Sequence, residues 1–169
     1  MTSLLTKIKI RTYVLAALVF ISSCRLIPCP WDSDLDLFDE KPKNELLIGK
    51  YQFDQRTLNH VPGYDKAQNA KLELNVDGTF EMTGIPKGTF DHIHYHELDS
   101  TTVGAFGHWT AGFDEGTAEL NVRVKFDSAE TDLKDFWTSW KIYLKDKNPI
   151  ILIVLGDPDS CLAARFEKG

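Results

Sequence analysis

The chain has 169 residues, 25 of them Asp or Glu against 19 Lys or Arg, for a formal net charge of −6. A surface of that sign repels phosphate backbones, so nucleic acid is excluded as an expected partner, and no basic patch is available to bind anionic lipid. The length suits one ordinary domain plus short appendages.

The first two dozen residues, MTSLLTKIKIRTYVLAALVFISSC, place Lys7, Lys9 and Arg11 ahead of an apolar run from Tyr13 to Ile21 and then two serines. This is the pattern of an export signal, and the run is shorter than the roughly 20 residues a membrane-spanning helix needs. Ile21-Ser22-Ser23-Cys24 resembles the lipobox of bacterial lipoproteins. The resemblance implies cleavage before Cys24, lipidation of its sulfur, and a stable membrane anchor made by several acyl chains. Arg25 in place of aspartate implies delivery to the outer membrane. The signal carries cations and no anions, so the processed chain becomes more acidic still. Residues 1–23 are thus expected to be a signal peptide.

Residues 24–44, from Cys24 through the Pro-rich and acidic stretch ending at Asn44, show no sustained apolar period and read as a tether. Asp32, Asp34, Asp36, Asp39 and Glu40 lack the Gly and terminal Glu of a calcium loop and read as a self-repelling spacer. The folded domain is expected at 45–169.

That domain reads as strand after strand. LLIGKYQFD near residue 50 is the first. KLELNV and TFEMT, residues 71–83, flank Asp77-Gly78, a pair suited to a two-residue hairpin turn. GAFGHWTAG near residue 108 follows, then TAELNVRVKF, 117–126, whose strict alternation marks a half-buried antiparallel strand. SAETDLKDF, 128–136, reads as the one helix, with Ser128 at its N-cap. SWKIYLK, the β-branched run PIILIVL at 149–155, and Cys161 to Glu167 complete eight strands, with 89–96 a candidate ninth. Short strands joined by tight turns predict an all-β, antiparallel up-and-down meander that hides its edges by closing into a barrel; a β-sandwich is the alternative.

Gly49-Lys50-Tyr51 resembles the Gly-x-Trp of lipocalins and other calycins, with Tyr for Trp, and Arg165 resembles the last-strand arginine those folds pack across the aromatic. The order of DGTF, Gly107-His108-Trp109 and GDPDS also resembles small bacterial lipoproteins with lipocalin-like domains. These resemblances imply a lipocalin-like barrel of about eight strands and an address in the envelope, and no activity.

A barrel of that size either fills with its own side chains or holds one small ligand. Phe53, Phe80, Phe90, Phe106, Trp109, Phe113, Phe126, Trp137 and Trp140 supply the aromatic area for either. His92, His94 and His96 in FDHIHYHE share one face of an extended segment, spaced roughly 7 Å apart, so they are candidate ligands for zinc. His60, Asp91, Glu97 or His108 would have to complete the set, and a polar surface strand is the competing reading. Cys29 and Cys161, the thiols left after lipidation, are a candidate disulfide in an exported chain. No nucleophile elbow, phosphate loop or zincin helix is present, so a non-enzymatic protein is expected. The function readings are a carrier of a small apolar ligand, a protein-partner-binding inhibitor or immunity-type lipoprotein, and a histidine-based metal protein.

Overall fold

The computed structural model describes residues 29, 31–90, 101–114, 119–129, 135–156 and 161–169. Met1–Ser33 and Asp34–Gly169 separate as two compact units. The second is a closed barrel in which eight antiparallel strands follow in chain order: β1 Gly49–Phe53, β2 Lys71–Leu74, β3 Thr79–Pro86, β4 Thr102–Asp114, β5 Glu119–Ala129, β6 Trp137–Lys145, β7 Asn148–Val154 and β8 Ala163–Lys168. The meander is therefore lipocalin-like, and the sandwich alternative falls. Closure comes from β1 pairing with β8, which sets Phe53 opposite Phe166.

Alternation along each strand sorts the side chains. Tyr51, Leu72 and Met82 lie side by side on the inner face, as do Leu74, Phe80, Gly107 and Phe126, and all of the side chains among them are buried. Gly107 sits between Phe80 and Phe126 at a shift in the β4–β5 register, and the two rings meet edge-on, with centroids 5.3 Å apart, over its missing side chain. A Cβ there would lie 1.9 Å from the Lys125 carbonyl oxygen and 2.9 Å from the Phe80 ring.

The hairpin between β2 and β3 forms at the expected place with a longer loop. Asn75 and Thr79 still pair, the Gly78 N–H donates to the Asn75 carbonyl, and only Gly78 takes positive φ. That is a three-residue loop with a glycine bulge instead of the two-residue turn, because Asp77 remains right-handed and bonds Thr79 through its own carboxylate. Trp109 pins the loop from β4, its indole Nε1 donating to the Asn75 carbonyl at 3.1 Å.

Two further expectations change. Ser128 does not cap a helix, since β5 runs on to Ala129 and Ser128 pairs with Phe106. Thr89 and Phe90 belong to a 3₁₀ turn, η2 Lys87–Phe90, while the remainder of the candidate ninth strand lies outside the described residues. Asp36 and Leu144 exchange two backbone hydrogen bonds of 2.8 Å within the unit Asp34–Gly169. Two short helices, α1 Asn44–Leu47 and α2 Gln55–His60, precede and follow β1. Among the described residues no helix is long and apolar enough to cross a membrane.

Replacing Gly107 by alanine should cost about 2–3 kcal/mol of unfolding free energy, since the clash is with backbone and a fixed ring. Gly112→Ala, where a Cβ meets nothing within 4 Å, should stay within about 0.5 kcal/mol. Urea unfolding of the two variants checks this, and equal losses would contradict it.

Candidate functional site

Arg165 on β8 gathers a dense set of polar contacts. Phe166 faces inward, so Arg165 points outward beside Leu152 of β7, yet it is fully buried. A guanidinium out of water must be matched by carboxylates. Asp34 takes it bidentately, Nη1 to Oδ1 at 2.9 Å and Nη2 to Oδ2 at 3.2 Å, and Asp54 Oδ2 lies 3.0 Å from Nε. Arg56 adds a second cation on Asp34 at 3.1 Å.

The backbone of Arg165 is held as well. Its carbonyl accepts from the Asp54 N–H at 3.0 Å, and its own N–H donates to Thr57 Oγ1 at 2.8 Å. Asp54 also caps α2, its Oδ1 accepting from the Thr57 N–H at 2.7 Å. One residue thus joins the start of the unit, the end of β1, α2 and β8. The hydrogen bonds and charge of Arg165 hold the Asp34 carboxyl below its ordinary value despite some desolvation.

Gly49 and Tyr51 lie on β1 and Arg165 on β8, the two strands that close the barrel. Gly49 has φ of 144°, a conformation L side chains rarely adopt, and a Cβ there would meet the flexible end of Lys168, Cε at 2.7 Å. Tyr51 is fully buried, and its hydroxyl donates to the Leu47 carbonyl at 2.5 Å; burial pushes its pKa up. Lys168 stands opposite Tyr51 in register. The charge of Arg165 goes to Asp34 and Asp54.

Inside the barrel, Phe80 of β3 and Trp140 of β6 stand three strands apart in the barrel order, with ring centroids only 5.8 Å apart. Phe126 packs against both, at 5.3 Å and 6.4 Å, and Phe90 adds a ring 5.5 Å from Phe126. A second cluster, Phe53 with Tyr64 at 5.2 Å and Phe166 at 4.4 Å, sits beside the β1–β8 seam. Tyr64 belongs to the 3₁₀ turn η1 Tyr64–Lys66, and its hydroxyl shares a 2.5 Å hydrogen bond with Thr89 of η2, tying two loops together. Of the aromatics expected to line or fill the interior, Phe106 and Trp137 instead face solvent.

The histidine triplet His92, His94 and His96 lies outside the described residues, as do Cys24 and the GDPDS segment after Gly156. His60 is on α2 with Nδ1 3.0 Å from the Arg56 carbonyl, and His108 is on β4 with Nδ1 2.6 Å from Asp127 Oδ2. Among the described residues no three His, Cys, Asp or Glu side chains converge as metal ligands. Cys29 and Cys161 are each disulfide-bonded. The Arg165 network escaped the sequence reading because its partners lie far apart along the chain. The one local signal for it was Asp54 standing as a cap before QRTLNH.

Arg165→Met should destabilise by about 3–5 kcal/mol, because it leaves the Asp54 carboxylate buried without its cation. For Asp34, a lowered folded pKa means its contribution is complete above the unfolded value of 3.8 and is lost as pH falls through the folded one. Wild type should therefore melt higher than Asp34→Asn at neutral pH, with the gap closing below about pH 4. A gap that persists in acid would contradict the assignment.

Comparison with protein-family profiles, with curated proteins and with solved structures finds no match to this chain.

Proposed function

We propose that the chain is an exported, lipid-anchored protein of the bacterial envelope, held at the outer membrane through Cys24, whose barrel binds a protein partner on its outer surface. The observation supporting the binding mode is the Phe80–Trp140 contact across the interior. A small apolar ligand would need open space where these rings lie, and Phe126 packs against both while Met82 and Val122 are buried. This favours the partner-binding reading over the ligand carrier, since a barrel of eight strands is only just wide enough for one of the two fillings.

A closed barrel offers no free strand edge, so recognition must use side chains on its faces. The acidic balance of the chain suits a basic protein, steered by opposite charge, as an inhibitor or immunity-type lipoprotein would use. The anchoring half rests on the cationic, apolar and Ile21-Ser22-Ser23-Cys24 segments of the leader. No step of bond chemistry is assigned, and the protein is read as non-enzymatic.

Two measurements test the halves separately. Cys24→Ser should move the protein from the membrane fraction to the soluble fraction, and unchanged retention would overturn the anchor. Native mass spectrometry of the chain purified from its own membranes should give a protein mass without a lipid in the barrel. Cross-linking in intact cells should give one defined adduct with another, basic protein. A co-purified lipid-sized ligand with no such adduct would restore the carrier reading.

A further inference from the structure

Asp77 stands exposed in the loop between β2 and β3, directly before Gly78, and an aspartate in that position carries chemistry of its own. The Gly78 amide nitrogen attacks the protonated Asp77 carboxyl at Cγ, forming an N–Cγ bond and expelling water. Glycine, having no Cβ, is the neighbour that hinders this step least. The five-membered imide then takes up water, and opening at its α-carbonyl leaves residue 77 joined to Gly78 through its side-chain carboxyl. One water leaves and one returns, so the mass is unchanged while the backbone gains a methylene.

The fold opposes each part of that reaction. The Gly78 N–H donates to the Asn75 carbonyl at 3.2 Å, which engages the attacking nitrogen. Asp77 Oδ1 accepts from the Thr79 hydroxyl at 2.6 Å and the Thr79 N–H at 3.0 Å, and the hydroxyl itself accepts from Asn75 Nδ2 at 3.1 Å. These Thr79 bonds hold the Asp77 carboxyl below its ordinary value, in the ionised form that has no hydroxyl to expel. Trp109 of β4, itself buried, clamps the loop on both sides of the pair: its indole Nε1 donates to the Asn75 carbonyl at 3.1 Å and its backbone N–H to the Gly78 carbonyl at 2.8 Å. Ring closure needs the Asp77 ψ swung far from the near-zero value of this turn position, which the clamp prevents.

We propose that Asp77-Gly78 is a site of β-aspartyl modification that Thr79 and Trp109 keep closed in the native barrel, so that residue 77 isomerises only when this loop opens. Once formed, the β-linkage prevents the loop from closing again. It moves the carboxylate onto the α-carbon, away from its place against Thr79, and the lengthened backbone carries Gly78 out of register with Trp109. This inference concerns the chemistry of the chain and does not depend on the proposed function.

Ageing the full chain at neutral pH, folded in detergent and unfolded in guanidinium chloride, tests it. The tryptic peptide of residues 72–87 is read by electron-transfer fragmentation, which separates β-linked from ordinary aspartate at equal mass. The folded chain should form β-linked residue 77 roughly tenfold or more slowly than the unfolded chain, since only the open loop reacts. Thr79→Val removes the hydroxyl bond to Asp77 and should raise the folded rate roughly threefold or more, with the melting temperature unchanged. Trp109→Phe, which keeps a ring but loses the indole donor, should raise it as well. Thr79→Val decides the matter even where Trp109→Phe melts lower, because Thr79 lies on the outer face of β3. Equal rates in the folded and unfolded chains would overturn the proposal, and so would a folded Thr79→Val chain that ages at the wild-type rate.

Discussion

Burying a guanidinium obliges the chain to bring carboxylates to it, and much of this barrel's closure follows from that obligation at Arg165. Asp54 comes from the end of β1 and Asp34 from a segment 131 residues earlier in the chain than the arginine it meets. The pair of strands that closes the sheet and the segment that precedes the first strand are thereby fixed by one side chain. Buried ion pairs seldom add net stability over apolar packing, but removing one partner is costly, so such a group works as a registry device. Here it selects one closure of β1 on β8. It also holds against the barrel a segment whose acidity would otherwise keep it extended in water.

The same arrangement explains why β7 is buried on both faces. Inner residues such as Ile151 pack within the barrel, while Ile150 and Leu152 lie on the outer face beside Tyr143 and Arg165, where they too are buried. The opposite side of the barrel is organised differently. At β4 to β6 the outer face stays open, and large aromatics stand in solvent among paired charges. With the interior occupied by Phe80, Phe126 and Trp140, the surface is where this domain differs from a featureless barrel. Function is argued from that surface, since a barrel fold serves many unrelated purposes.

The barrel was legible where period two was clean. Residues 118 to 126 alternate without a break, and the β-branched run from 149 to 155 read as a strand, which the structure buries on both faces. Local chemistry was less reliable. Asp77-Gly78 marked the hairpin but not its loop length, because the preference of Asp77 for bonding Thr79 decides the turn. Ser128 looked like a cap, yet pairing with β4 carries the strand through it. The acidic run at 32–40 read as a spacer because nothing local marks Asp34 as the partner of an arginine in the last strand. Phe106 and Trp137 were counted with the interior for lack of a register, which only the paired strands supply. The histidine triplet at 92–96, the sharpest chemical motif in the sequence, lies outside the described residues.

The central claim is that the interior is filled by the chain itself. Met82 reports on it directly: it is buried on the inner face of β3, two residues from Phe80, and the other methionine is Met1. With ¹³C-labelled methionine methyls, a titration with a medium-chain fatty acid should leave the Met82 resonance in place. A saturable shift of that resonance at one equivalent would show that the barrel admits a ligand, and would contradict the account.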